Sequence, residues 1–260
     1  MVSIKPVTRE LLSAIDKADQ FTSLKEERHS RKQHLVVASR VFAQLGFVFG
    51  VAGHISVRDP EHLDCLWITP FGKHFSLLKT RDLIKVNHDG EILEGNQKIT
   101  LEMLNIHSGI HQTRPDVIAV AHAHPPYGAS WCSLGRLLDP ISQDACTFYE
   151  DHSLFTNFSG LISDSAEGER LAEALGNNKA VILENHGLLT VGHSIDEAAW
   201  WLICMERCCQ AQLMAESVGN PILIEPDIAR LTRSQVGSHE AGWFCFQPYY
   251  EMILSQESDL

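Results

Sequence analysis

The sequence predicts a single α/β domain, on three observations. Helix-periodic stretches alternate with short β-like runs. Two apolar runs of buried-strand type each lead straight into histidine, at Val117–Ala121 before His122-Ala-His124 and at Ala180–Leu183 before Glu184-Asn-His186. Turn signals are spread evenly, with no repeat, low-complexity tract or Ser/Gly linker that would mark a boundary between two units.

In chain order, Ser23–Leu45 reads as a helix, with Leu35, Ala38, Phe42 and Leu45 at three- and four-residue steps and Gly46 placed to stop it. From Phe47 to Glu94 the pattern shortens to strands such as His54–Val57 and Leu66–Thr69, broken at Asp59-Pro60, Pro70-Phe-Gly72 and Asp89-Gly90. Leu101–Gln112 is helical and ends at Arg114-Pro115, and a short helix covers Ala166–Leu175. Ser194 and Glu197 have capping-box spacing and open a long helix from Ile195 to about Val218, closed by Gly219-Asn220-Pro221. These elements divide the chain into an extension at 1–22, one domain at 23–236 and an aromatic tail at 237–260. The tail is expected to pack on the domain or on a neighbouring subunit.

A net charge of −12 and a pI near 5.6 argue against a grip on nucleic acid or on an anionic membrane, both of which need a basic face. With no signal-peptide core and no run of about 18 apolar residues, a cytoplasmic protein is expected. The seven cysteines are scattered and form no CxxC pair, the pattern of buried reduced thiols.

The clustering of the fourteen histidines carries more information. Residues two apart on a strand face the same way, so His122 and His124 can offer both imidazoles to one ion. His186, after a comparable strand and followed by a glycine that admits close backbone approach, is the best third ligand. Three neutral imidazoles leave coordination positions open, as a catalytic metal site requires. Zinc is the expected ion, with iron or manganese as alternatives.

Taken in order, Gly53–Arg58, Ile68–Gly72, Leu83–Gly90, His107 with Arg114-Pro-Asp116, His122-Ala-His124 and Glu184–Leu188 resemble the successive blocks of the class II aldolase/adducin family, over roughly residues 30 to 218. The resemblance implies a three-layer α/β/α fold around a central, mainly antiparallel sheet, assembly as a homotetramer, and His122, His124 and His186 as metal ligands. It also exposes departures. The acidic residue expected four positions before His107 is Met103, with Glu102 one step earlier and so rotated by about 100° on a helix. His54 stands where asparagine is usual and Phe71 where a small hydroxyl residue often stands, which weakens a phosphate site and points to a non-phosphorylated, aromatic or polyketide-like carbonyl substrate.

The candidate acid/base residues are Glu102, His107 and Tyr149, with His111 and the Tyr149–His152 segment as further proton-transfer groups. The candidate substrate contacts are His54, Ser56, Phe71, Gly72 and Gln143. The leading reading is a divalent-metal-dependent lyase performing retro-aldol cleavage or decarboxylation. The alternatives are an Fe(II)-dependent oxygenase or oxidative decarboxylase on the same histidines, and a non-catalytic, adducin-like interaction domain.

Overall fold

A computed structural model describes residues 21–156, 158, 160 and 165–256. Residues 1–20 of the expected extension and the last four of the tail lie outside the described residues.

The first helix, α1 (Leu24–Gln44), is capped by Ser23, whose hydroxyl accepts the Glu26 N–H. A meander follows: β1 (His54–Arg58), β2 (Cys65–Ile68), β3 (Ile84–Asn87) and β4 (Ile92–Glu94). Helix α2 (Leu101–Thr113), capped by Thr100, leads into β5 (Ala119–Ala123). Two short helices, α3 (Pro126–Cys132) and α4 (Gln143–Cys146), precede β6 (His152–Phe155) and α5 (Ser165–Leu175). Then come β7 (Ala180–Leu183), β8 (Gly187–Gly192), the long α6 (Ile195–Val218), α7 (Pro226–Val236) and α8 (His239–Gln256).

The eight strands form one sheet in the order β4-β3-β2-β1-β5-β8-β7-β6. Neighbours run antiparallel throughout, except for the parallel pair β6–β7. Helices α1, α6 and α8 pack on one face, where their apolar residues share a core with Ile55, Val57, Ala119 and Ala121. On the other face Ile106, Ile110 and Leu171 of α2 and α5 share a core with Val120, Val181 and Leu189. The fold is therefore a three-layer α/β/α sandwich.

Strand alternation decides where the polar side chains go. Ile55 and Val57 face α1 and α6, so His54 and Ser56 face α2. Ala119, Ala121 and Ala123 face the same helices, so Val120 and His122 face α2 and α5. The C-terminal helix belongs to the first core, with Phe246 and Ile253 fully buried. Strand β5 begins at Ala119, two residues later than the apolar run suggests: the Val117 N–H still closes the turn out of α2 on Arg114 O, while the Ile118 N–H already reaches across to Gly192 O at the end of β8. Helix α7, opened by Pro226 at its first position, lies in a segment whose turn residues gave no helical expectation.

Asp59, just beyond β1, joins two layers. Its carboxylate accepts from Arg28 of α1 (2.7 and 3.0 Å), from the Trp67 indole (2.8 Å) and from the Glu61 and His62 backbone N–H groups (3.0 and 2.9 Å). Burial alone would raise the Asp59 carboxyl, but these bonds outweigh it and hold the group well below the usual carboxylate range. Removing the acid leaves the guanidinium and the indole N–H short of an acceptor. Asp59→Ala should therefore lower the unfolding free energy by about 3 kcal/mol in urea titrations. A loss below about 1 kcal/mol would show that the pair is not a structural joint.

Candidate metal centre

Strand register brings the histidines together. His54 of β1 lies opposite His122 of β5, and His122 lies opposite Leu189 of β8. The turn between β7 and β8 carries His186 back to the same place. It is tight: Asn185 has φ of 56°, and the His186 N–H donates to Leu183 O at 3.0 Å. Gly187 has no room for a side chain, since a Cβ there would stand 2.6 Å from Ala123 O and 2.8 Å from the His124 ring. The glycine is thus what lets the turn press against the end of β5.

His122, His124 and His186 each present a ring nitrogen within 4.8 Å of the other two. Their ring centroids are 4.7–4.9 Å apart, and the Nε2 atoms of His122 and His124 are separated by 3.0 Å. Nitrogens on one tetrahedral zinc, at 2.0–2.1 Å bonds, stand about 3.3 Å apart. The His122 Nδ1–H donates to Leu188 O at 2.9 Å, which leaves the Nε2 lone pair aimed at the other rings. Burial holds all three below the ordinary histidine value, well below for His122 and down to about 4 for His186, with repulsion from neighbouring imidazoles added for His122 and His186. Neutral, convergent imidazoles are the donor set a divalent transition metal requires, and the residues fit such an ion.

The site opens into a cavity of about 600 Å³. His54, Phe71, Glu102, His122, His124 and His186 line it, so six of the sequence-predicted residues meet there. Glu102 reaches the cavity despite its one-step offset, because it lies in the first turn of α2, where Met103 lines the same wall. Its carboxyl stands 3.8 Å from His186 Nε2, and burial, with Glu167 adding repulsion, raises its proton affinity.

The other predicted residues do not line the cavity. Ser56 and His107 are fully buried behind His54: His54 Nδ1 meets His107 Nε2 at 2.7 Å, His107 Nδ1 meets Ser56 Oγ at 2.5 Å, and Ser56 Oγ meets His111 Nε2 at 3.0 Å. Neither His107 nor Ser56 reaches the cavity within the chain, because the His54 ring stands between them and it. Gly72 is exposed next to Phe71 but outside the cavity wall. Gln143 and Tyr149 belong to the α4 region, where Tyr149 packs near Arg230 and beside Pro226, so within one chain neither approaches the histidines. His152 has both ring nitrogens engaged with the backbone, its Nδ1–H donating to Phe148 O (2.6 Å) and its Nε2 accepting from the Leu138 N–H (2.9 Å).

Sequence reasoning missed Phe49, Val51, Asn185 and Phe158, which also line the cavity. The first two sit in a turn with no chemical signature. Phe158 falls in a stretch without periodicity, and only Asn185, inside the His186 block, was within reach.

Burial leaves His107 and His111 neutral and well below the ordinary histidine value, with His111 also facing the Arg58 charge. Released by unfolding, each regains a value near 6.5 and takes up a proton. The unfolded chain therefore binds more protons below that pH, and stability falls as pH drops, by roughly 1.4 kcal/mol per pH unit for each histidine. His111→Gln should flatten the slope of unfolding free energy between pH 7 and pH 5 by about one proton. Equal slopes for variant and wild type would contradict the buried neutral state.

A profile of the class II aldolase and adducin N-terminal domain matches residues 33–213. Decarboxylase NovR of Streptomyces niveus is 44% identical over 242 residues, covering 92% of this chain and 90% of that protein. A protein of Streptomyces roseochromogenus subsp. oscitans named 4-hydroxy-3-prenylphenylpyruvate oxygenase/4-hydroxy-3-prenylbenzoate synthase is 43% identical over 242 residues, with 92% and 87% covered. Among solved structures, L-fuculose 1-phosphate aldolase from Glaciozyma antarctica PI12 superposes with a TM-score of 0.88 at 40% identity, covering 94% of this chain and 96% of that one.

Proposed function

The chain belongs to the class II aldolase and adducin family, and from that premise we propose that it is a divalent-metal-dependent lyase acting on a non-phosphorylated aromatic carbonyl or hydroxy-carbonyl acid. The observation that carries this reading is a three-imidazole cluster with a carboxyl group beside it, at the base of a cavity walled by apolar side chains.

A divalent ion held by His122, His124 and His186, zinc first and iron or manganese next, would supply a Lewis acid that polarises a carbonyl oxygen and stabilises charge developing beside it. The protein's own groups do the rest. Glu102, with its raised proton affinity, suits donation or acceptance of a proton at the carbon or oxygen next to the breaking bond. His54 presents its ring to the same wall, its orientation fixed from behind by His107 and Ser56.

Phe49, Val51, Phe71 and Phe158 line the cavity while remaining substantially exposed, a ring of apolar surface suited to an aryl body and to excluding water. No Lys or Arg lines the cavity among the described residues, and a phosphate dianion there would face the Glu102 carboxyl instead. The reading also takes the chain as a homotetramer whose neighbouring subunits seat against this apolar rim. We place it in the cytoplasm; no helix among the described residues is long and apolar enough to cross a membrane.

A second reading, an Fe(II)-dependent oxygenase on the same ligands, is favoured by the name of the 43%-identical oxygenase/synthase and by the coordination positions that three ligands leave free. The non-catalytic reading has less support, because the histidines and a pocket carboxyl are all retained.

Metal-loaded protein should cleave an aryl 2-hydroxy or 2-oxo acid such as 4-hydroxyphenylpyruvate in preference to L-fuculose 1-phosphate. Glu102→Gln should lower kcat by roughly 10²- to 10⁴-fold while leaving metal content unchanged. Turnover under nitrogen identifies the lyase, and stoichiometric oxygen uptake identifies the oxygenase. Preference for the sugar phosphate, or no turnover of any carbonyl acid, would defeat the proposal.

A further inference from the structure

We propose that His193, Glu197 and His239 hold a second divalent ion of the zinc class at the solvent-facing junction of α6 and α8. The three residues come from separate places in the chain: His193 from the turn after β8, Glu197 from the first turn of α6, and His239 from the first position of α8. One ligand atom from each lies within 4.8 Å of the others. The two imidazoles are stacked, with centroids 3.7 Å apart and planes 20° from parallel, so their edges lie side by side.

The carboxylate is held from beneath. Glu197 is 2% exposed, its Oε2 accepting the His193 N–H at 2.7 Å and its Oε1 accepting the Trp201 indole N–H at 2.9 Å. His239 Nδ1 stands 2.7 Å from the same Oε1. A carboxylate has about four acceptor positions, so Oε2 keeps one for an ion and Oε1 gains one when His239 turns its nitrogen to the metal. The histidine side chains, by contrast, are 47% and 59% exposed and can adjust. A fixed oxygen below and two adjustable nitrogens above make an entry path from solvent. Asp116 Oδ2, 3.9 Å from His193 Nε2, supplies an outer carboxylate of the kind that orients metal-bound histidine.

A cavity of about 220 Å³ lies at this junction. Lys179 borders it, but its ammonium is engaged with Gly237 O (2.6 Å) and Asp151 (3.1 Å). Two imidazoles and one carboxylate select zinc, nickel or cobalt over magnesium or calcium, which require all-oxygen shells. An ion there would tie the start of α8, and with it buried Phe246 and Ile253, to the start of α6.

The test is zinc titration by calorimetry, with Co²⁺ absorption as a second readout, and it does not depend on the proposed activity. The His122→Ala/His186→Ala double variant should still bind one equivalent. Adding His193→Ala or His239→Ala should weaken that binding roughly 100-fold, the upper end of what a lost coordinating or orienting group produces. His74→Ala, at an exposed histidine elsewhere, should leave it unchanged. In otherwise wild-type protein the exposed-site variants His193→Ala and His239→Ala should each remove one equivalent, a readout that stands even if the double variant fails to fold. Zinc uptake undiminished in both of these variants, or no uptake by a folded double variant, would overturn the proposal.

Discussion

The arrangement of this molecule rests on the pairing of β1, β5 and β8 in the middle of the sheet. The pairing sets His54 opposite His122 and brings the β7–β8 turn, with His186, against the end of β5. A slip of one residue in β5 would turn His122 towards α1 and α6 and Ala121 towards the cavity, destroying the cluster while leaving the backbone ladder intact. The alanines at 119, 121 and 123 guard against that slip, since they leave room for α1 and α6 to approach the sheet, whereas an imidazole on that face would not fit.

Placing so many imidazoles inside a protein has a physical consequence. Each must stay neutral, and each needs partners for its ring nitrogens. His122 has Leu188 O, while His54, His107, Ser56 and His111 are linked in a single chain of hydrogen bonds that leaves only the His111 Nδ1, among their ring nitrogens, buried without a hydrogen-bond partner. Arg58 closes the far end by donating to the His111 and Val117 carbonyls. The wall of the cavity is therefore a hydrogen-bonded unit running from the pocket to the base of α2, and the orientation of His54 depends on residues that do not themselves line the cavity.

Much of this was legible in the chain. The start of α6 followed from the capping box at Ser194 and Glu197, which acts locally and leaves a mark in sequence. The three clustered histidines were legible because strand periodicity and a following glycine are also local. Depth was not. Nothing near His107 or Ser56 says that His54 stands in front of them, since that depends on which helix covers which face. Glu102 carried the opposite difficulty: the offset from the family pattern argued against it, but both it and Met103 line the cavity from the first turn of α2. Tyr149 and Gln143 were chosen for chemical type alone, which says nothing of tertiary placement, and within one chain they do not line the cavity.

The most direct test of the account is an anomalous-difference map from crystals of the protein supplied with zinc. The account predicts a peak about 2.0–2.1 Å from one ring nitrogen each of His122, His124 and His186. Anomalous density elsewhere in the crystal with none among these three rings would contradict it.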